Sequence, residues 1–420
     1  MPTLIRGATL LSPGSPFHQR AVDLHWSDGR VMALAERLDP AAEADAELMA
    51  ADGLFLAPAF TDIGTQVREP GGEQHEELES VAAAARAGGY GTLVPFPNTA
   101  PAVDGKTGVR YLKRAARELA VDLRPIGALS KGTRGEHPAE LYDMYRAGAV
   151  AFSDGTAPLR DDGQLLRALQ YTQAFDAPVI YLPLHRELQA DGQMHEGVVS
   201  TSLGMRGIPA ASERTAVQRA IELLRYGGGR LHLYAISSAA ALPLIAAAKS
   251  EGLALTASVA ALNLYYTDEA LRGFDSSYKV LPPFRQETDR RALAAALADG
   301  TLDAVVSNHA PWDGEHKHLE FPYAEFGVPT LETAFAAART ATRATVSMAR
   351  LVAAFTSGPQ RLLGGKGSPV EVGYTGSLVL IDGEQPTLVQ TDQLRSKGYG
   401  NPLVGDTLLG GIKHFFDGAR

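Results

Sequence analysis

The chain has 420 residues, 45% of them apolar, and a formal net charge of −9 from 39 lysines and arginines against 48 aspartates and glutamates. That length supports a large core with room for a satellite unit, and the mildly acidic balance argues against nucleic acid or an anionic membrane surface as the main partner. With no cysteine present, disulfides, thiolate metal sites and cysteine nucleophiles are excluded.

The opening MPTLIRGATLLSPG carries one arginine and a short, interrupted apolar stretch, so no signal peptide is expected. No run of about 18 apolar residues follows, so no membrane span is expected, and the sequence reads as a soluble, cytoplasmic protein. Short apolar bursts at Thr3–Ile5, Ala21–Trp26 and Val31–Leu34, separated by Gly and Pro, predict a small β unit. The long middle then alternates apolar runs with amphipathic helical patterns. Strands are predicted at Gly91–Phe96, Ala147–Phe152, Pro178–Leu182, Arg230–Ile236, Leu253–Val259 and Asp303–Ser307. Helices are predicted at Glu76–Ala87, Gly163–Ala174, Ala211–Tyr226, Ala239–Ser250 and Glu287–Ala298. Two further strands, Gly376–Ile381 and Pro386–Gln390, follow near the end.

Alternation of strand and helix implies parallel strands, because each crossover must return the chain to the same edge. Over roughly 300 residues this predicts a (β/α)₈ TIM barrel at 57–363, with a small β-sandwich domain built from both termini, 1–56 plus 364–420. A doubly wound sheet is the structural alternative, weakened because no G-x-G-x-x-G follows an early strand. In a barrel the chemistry sits where strands end at the carboxyl face.

Those positions carry a family likeness. Ala57–Pro70 (APAFTDIGTQVREP), Phe96–Thr99 (FPNT), Gly148–Asp154 (GAVAFSD), Gly192–Gly197 (GQMHEG), Lys279–Arg285 (KVLPPFR) and Asn308–Trp312 (NHAPW) occur in an order and spacing that resemble the dihydroorotases of the amidohydrolase superfamily. Ser202–Pro209 (SLGMRGIP) and Phe326–Thr333 (FGVPTLET) thread between them, and the likeness runs from about residue 50 to 365. The resemblance implies an amidohydrolase-type barrel. It also implies hydrolysis or closure of a cyclic amide through one or two zinc ions, which activate water and polarise the carbonyl.

In that family the ligands come from an H-x-H pair, a carboxylate or carboxylated lysine, two later histidines and a final aspartate that doubles as general base. Mapped onto this chain, the pair falls on Gly64 and Gln66, the histidines on Leu182 and Ala235, and the final aspartate on Asn308. Glycine, leucine and alanine offer no side-chain donor, and an amide is a weak zinc ligand and no base near neutral pH. Asp154 alone remains as a carboxylate, so no metal site, no bound zinc and no catalytic residue are expected. Arg68 and Asn98 match residues that hold the substrate carboxylate in active relatives, and Asp154 and His309 complete a vestigial ligand-binding set. Leu281 and Trp312 replace an asparagine and a histidine, and Trp312 is bulky enough to fill vacated space.

Simpler readings stand beside these. Arg68 can be a structural arginine tied to Glu69 or Glu73, Asn98 suits a turn, His309 packs under its loop and His232 is a satisfied core histidine. The one remaining H-x-H, in Glu315–His318 (EHKH), lies in a charged loop with nothing nearby expected to supply convergent ligands. Ser237-Ser238 lacks a G-x-S-x-G context for a nucleophile. The resemblance extends to dihydroorotase-like proteins without metal ligands that associate with aspartate transcarbamoylase. The preferred expectation is therefore a non-catalytic assembly partner of that enzyme in pyrimidine biosynthesis, itself homo-oligomeric. Two alternatives remain open: a remodelled cyclic amidohydrolase using Asp154, His309 and Arg68, and a sensor binding a small carboxylate through Arg68 and Asn98.

Overall fold

The computed structural model describes residues 2–39, 45–157, 159, 161–365 and 367–419. The apolar runs of the middle section become parallel strands: Phe60–Ile63, Tyr90–Val94, Asp122–Leu123, Ile126–Gly127, Ala151–Phe152, Val179–Tyr181, Leu231–Leu233, Leu255–Ala260 and Ala304–Val306. The first three form one sheet and the remaining six another, each strand beside its sequence neighbour. Asp122–Leu123 and Ile126–Gly127 are two halves of one strand position, interrupted at Arg124 and Pro125, because proline cannot donate to the ladder.

The parallel strands curl, and hydrogen bonds link the first of them to the end of the last. Buried Asp62 accepts from the Ser307 backbone N–H and from the Ser307 hydroxyl, both at 2.7 Å, and from the Thr65 hydroxyl. The Gln66 N–H donates to the His309 carbonyl at 2.9 Å. A buried carboxylate is tolerated here because both oxygens are satisfied. Burial raises its pKa against those hydrogen bonds.

Helices cover the sheet with one apolar face each. In Ala210–Gly227 the buried stripe is Ala216, Val217, Ala220, Ile221 and Leu224, at helical spacing. In Leu78–Ala87 it is Leu78, Val81, Ala82, Ala84 and Ala85, while Arg86 stays partly exposed at the last turn. They join a core with Phe60, Tyr90, Phe335 and Phe355, where each large apolar side chain removed from water contributes about 1.5–3 kcal/mol.

A seven-stranded sheet draws on both ends of the chain: Thr3–Leu10, Ala21–Ser27, Arg30–Ala35, Glu47–Ala50 and Phe55–Pro58 with Leu378–Leu388 and Thr407–Phe416. Leu378–Leu388 runs antiparallel to Phe55–Pro58. The sheet shelters its own cluster of Ile5, Leu10, Val22, Leu24, Trp26, Leu56, Leu380 and Phe416.

Several expectations are corrected. Gly376–Ile381 and Pro386–Gln390 are not separate strands: Leu378–Leu388 is continuous, with its pairing register shifting between Asp382 and Pro386. Of the run Ala147–Phe152 only Ala151–Phe152 is strand: Ala147 is the last residue of the helix Leu141–Ala147, which Gly148, left-handed at φ 112°, stops. Phe60–Ile63, Asp122–Gly127 and Thr407–Phe416 were not predicted as strands. Among the described residues, no helix is long and apolar enough to cross a membrane.

Candidate functional site

At the carboxyl ends of the parallel strands the centre is occupied by rings. Phe96 and Tyr234 pack edge to face, 4.9 Å between centroids at 68°. They close over Gly64, where an added Cβ would lie 2.5 Å from the Tyr234 ring and 2.7 Å from that of Phe96. Leu182 and Ala235 belong to the same cluster, with Ile63, Val94, Ile180 and Val306. Asn308 accepts a 3.3 Å hydrogen bond from the Tyr234 hydroxyl and donates to the Leu281 carbonyl at 3.2 Å. Gln66, half-buried, is tied through its backbone to His309. Gly64, Ala235 and Asn308 all have left-handed φ, at 85°, 54° and 55°. For alanine that conformation costs about 1 kcal/mol. Burial holds the Tyr234 phenol far above its usual range, so it stays protonated.

The flanks stay polar. Asp154 accepts from the Ser130 N–H at 2.9 Å and the Ser130 hydroxyl at 2.6 Å. Both of its oxygens are thus engaged, and burial raises its pKa against those bonds. Asn98 reaches across rather than serving its own turn: its amide donates to the Asp154 carbonyl at 3.1 Å, and its Oδ1 is buried without a partner. Arg68 is not tied to Glu69 or Glu73. Glu69 accepts from the Leu78 N–H and Tyr111 hydroxyl, and Glu73 from the Gly71 N–H. The Arg68 guanidinium donates to the Pro311 carbonyl at 2.9 Å and stacks 3.8 Å over the Trp312 ring, leaving Nη2 buried and unpartnered. Burial pulls its pKa down to about 10, against the charges of Glu325 and Glu76. Trp312 therefore covers Arg68 instead of filling the centre.

His309 is fully buried; its Nδ1 accepts from the Thr330 N–H at 3.0 Å while Nε2 faces Glu76 at 3.4 Å. His232, also fully buried, bonds Thr256 at 3.0 Å and Ser258 at 2.9 Å through its two nitrogens, and burial drops its pKa to about 3. Deeper still, Glu213 accepts from the Ser237 and Ser238 N–H groups, and Arg285 donates to the Ser237 hydroxyl and the Ile208 carbonyl. Ser237 is thus a structural hydroxyl.

The rim holds a group that the sequence did not reveal. His316, from the H-x-H in Glu315–His318, meets His75 and Asp313, and one ligand atom from each lies within 4.8 Å of the others. His316 Nδ1 is 2.7 Å from Asp313 Oδ1, and His75 Nδ1 is 3.0 Å from Asp313 Oδ2. The expectation that nothing converges on this H-x-H is therefore corrected. His75 and His316 are 241 residues apart, and only the meeting of first and last strands brings their loops together. The loop beyond is anchored by two buried lysines. Lys317 donates to the Glu325 and Gly327 carbonyls, and Lys279 to those of Phe321 and Pro322. Burial lowers their pKa values to about 7 and about 8.

A family profile described as "Dihydro-orotase-like" matches residues 53–241. The dihydroorotase of Pelotomaculum thermopropionicum is 37% identical over 412 residues, covering 98% of this chain and 96% of that one. The chain belongs to the dihydroorotase family. The dihydroorotase of Syntrophotalea carbinolica is 35% identical, covering 98% of this chain and 96% of its own. That of Anaeromyxobacter dehalogenans strain 2CP-C is 37% identical, covering 94% and 91%. Among solved structures, the L-hydantoinase (dihydropyrimidinase) of Arthrobacter aurescens superposes with a TM-score of 0.85 at 23% identity, covering 98% of this chain and 94% of that one. The D-hydantoinase (dihydropyrimidinase) of a Thermus species gives 0.81 at 20%, covering 99% and 93%. These two share the fold: this dihydroorotase relative is a mixed α/β amidohydrolase with a curled parallel sheet.

Proposed function

We propose that this chain is a non-catalytic member of the dihydroorotase family, serving pyrimidine synthesis as an assembly partner of aspartate transcarbamoylase. The observation that carries the reading is the Phe96–Tyr234 pair packed onto Gly64. A zinc centre there needs imidazole or carboxylate donors at about 2.0–2.2 Å from the ion. The residues present do not fit one: Gly64, Leu182 and Ala235 bring no donor, Asn308 brings an amide already bonded to Tyr234, and Asp154 is spent on Ser130. With no ion and no basic carboxylate, water has nothing to activate it.

The reading includes closure of the curled sheet as a (β/α)₈ barrel at 57–363, a small β-sandwich domain from 1–56 and 364–420, a cytoplasmic location and homo-oligomers. The Asp62–Ser307 bonds across the sheet edges support the closure. The partner follows from the family resemblance. Co-expression with aspartate transcarbamoylase, size-exclusion chromatography and transcarbamoylase assays with and without this chain test it. A co-eluting complex with altered transcarbamoylase activity is expected; separate elution with unchanged activity overturns the partnership.

A second reading rests on the buried, unpartnered Arg68 Nη2 and Asn98 Oδ1. Such groups cost free energy until a ligand pairs with them, and a guanidinium suits a carboxylate. In that reading carbamoyl aspartate raises the melting temperature and Arg68→Ala abolishes the rise. An unshifted wild-type melting curve removes it.

A further inference from the structure

We propose that His75, Asp313 and His316 form a divalent transition-metal site on the rim, separate from the positions that correspond to the family's zinc centre. Two imidazoles and one carboxylate are a donor set that zinc and neighbouring first-row ions accept, with the remaining positions left to water. The three donors already stand within 4.8 Å of one another, so small rotations of partly exposed His316 bring them to ligand distance.

The second observation is His75 itself. Its residue is 6% exposed, and its Nδ1 is buried without a hydrogen-bond partner, because the 3.0 Å approach to Asp313 Oδ2 is poorly aligned for one. A buried nitrogen beside a carboxylate, with its hydrogen bond poorly aligned, can be satisfied by a cation that both groups ligate. On the far side of the ring the Gln74 amide nitrogen lies 3.0 Å from His75 Nε2, an arrangement that puts the ring proton on Nδ1. Metal binding therefore requires the Gln74 amide to turn over, so that its oxygen accepts an Nε2 proton and the Nδ1 lone pair is freed, as outer partners of metal-bound histidines do.

The remaining ligands are held in place. Asp313 Oδ1 accepts from the His316 N–H at 3.1 Å, fixing the carboxylate at the start of the turn Gly314–Lys317. Lys317, the residue after His316, is anchored by two carbonyls. Trp312 stacks on His316, centroids 5.1 Å apart at 23°, and limits how far that ring can swing. The Arg68 guanidinium stacked on Trp312 opposes a cation, and the Asp313 carboxylate favours one. Binding displaces a proton from the histidine–aspartate contacts, so it weakens as pH falls. The proposal is independent of the non-catalytic reading, since it concerns neither turnover nor the strand-end positions.

The test is calorimetric titration of the chelator-stripped full chain with zinc chloride, with cobalt(II) absorbance as a second readout. One ion per chain is expected. His316→Ala and Asp313→Asn, which retains the cap on the turn, each lower affinity at least about tenfold, and Gln74→Leu about tenfold through the outer shell. Gln66→Ala leaves binding unchanged. No binding, binding indifferent to His316→Ala and Asp313→Asn, or binding lost with Gln66→Ala overturns the proposal.

Discussion

Gly64 and His75 leave the same strand end, as do Asn308 and His316, yet the centre and the rim that these loops build are opposites. The centre is an apolar contact of Gly64, Leu182 and Ala235 with two aromatic rings. The rim gathers Arg68, Trp312, His75, Asp313 and His316 into a stack of rings, charges and an unsatisfied nitrogen. The loops are positioned by contacts beside that centre, such as Asp62 to Ser307 and Gln66 to His309. The scaffold of the strand ends is thus held together without side-chain donors at Gly64, Leu182 or Ala235. Ala235 and Asn308 both hold left-handed backbone there, a conformation that the surrounding contacts must impose on alanine.

The largest expected effect breaks the centre. Gly64→Ala forces a methyl into the rings and should destabilise the protein by roughly 3–5 kcal/mol, combining overpacking with a left-handed backbone. Gly53→Ala, at φ 79° with open space around it, should cost only about 1–2 kcal/mol. Denaturant melts of both variants check this, and equal losses would mean that the rings yield easily and the centre is not closed.

A second, smaller effect concerns His232, on the strand Leu231–Leu233 below the mouth. Its folded pKa, about 3, lies below the ordinary histidine value of about 6.5, so the stability it contributes is complete above pH 6.5 and lost as pH falls towards 3. The loss approaches about 1.4 kcal/mol per pH unit within that window. In His232→Gln the slope of stability against pH should fall by about one proton, and an unchanged slope would mean that the interior admits charge. The smallest effect is at Ala235→Gly. Relief of the left-handed alanine should offset glycine's added freedom in the unfolded chain, leaving stability within about 1 kcal/mol of wild type. A loss of several kcal/mol would show that the Ala235 methyl is an essential part of the apolar centre.

Most of the fold was legible because its strands are apolar runs between amphipathic helices, and their buried faces repeat at readable periods. Strands were missed where that signal is short or broken: Arg124 and Pro125 divide one, and Phe60–Ile63 carries the buried polar pair Thr61 and Asp62. Leu378–Leu388 was read as two pieces because Gly383 and Pro386 interrupt its pattern. At the site, the absence of donors at Gly64, Leu182 and Ala235 could be read from residue identity alone. What fills the space could not, since Phe96 and Tyr234 are 138 residues apart and look like ordinary core aromatics. Arg68 on Trp312, and His75 with Asp313 and His316, escaped for the same reason: each pairs loops that meet only when the sheet curls.

The most direct test of the central claim is hydrolysis of dihydroorotate, and the reverse cyclisation of carbamoyl aspartate, by the full chain supplied with excess zinc. The closed, donor-poor centre predicts no turnover above the uncatalysed rate, with or without the ion. Zinc-dependent turnover that a chelator stops and Asn308→Ala abolishes would contradict the account.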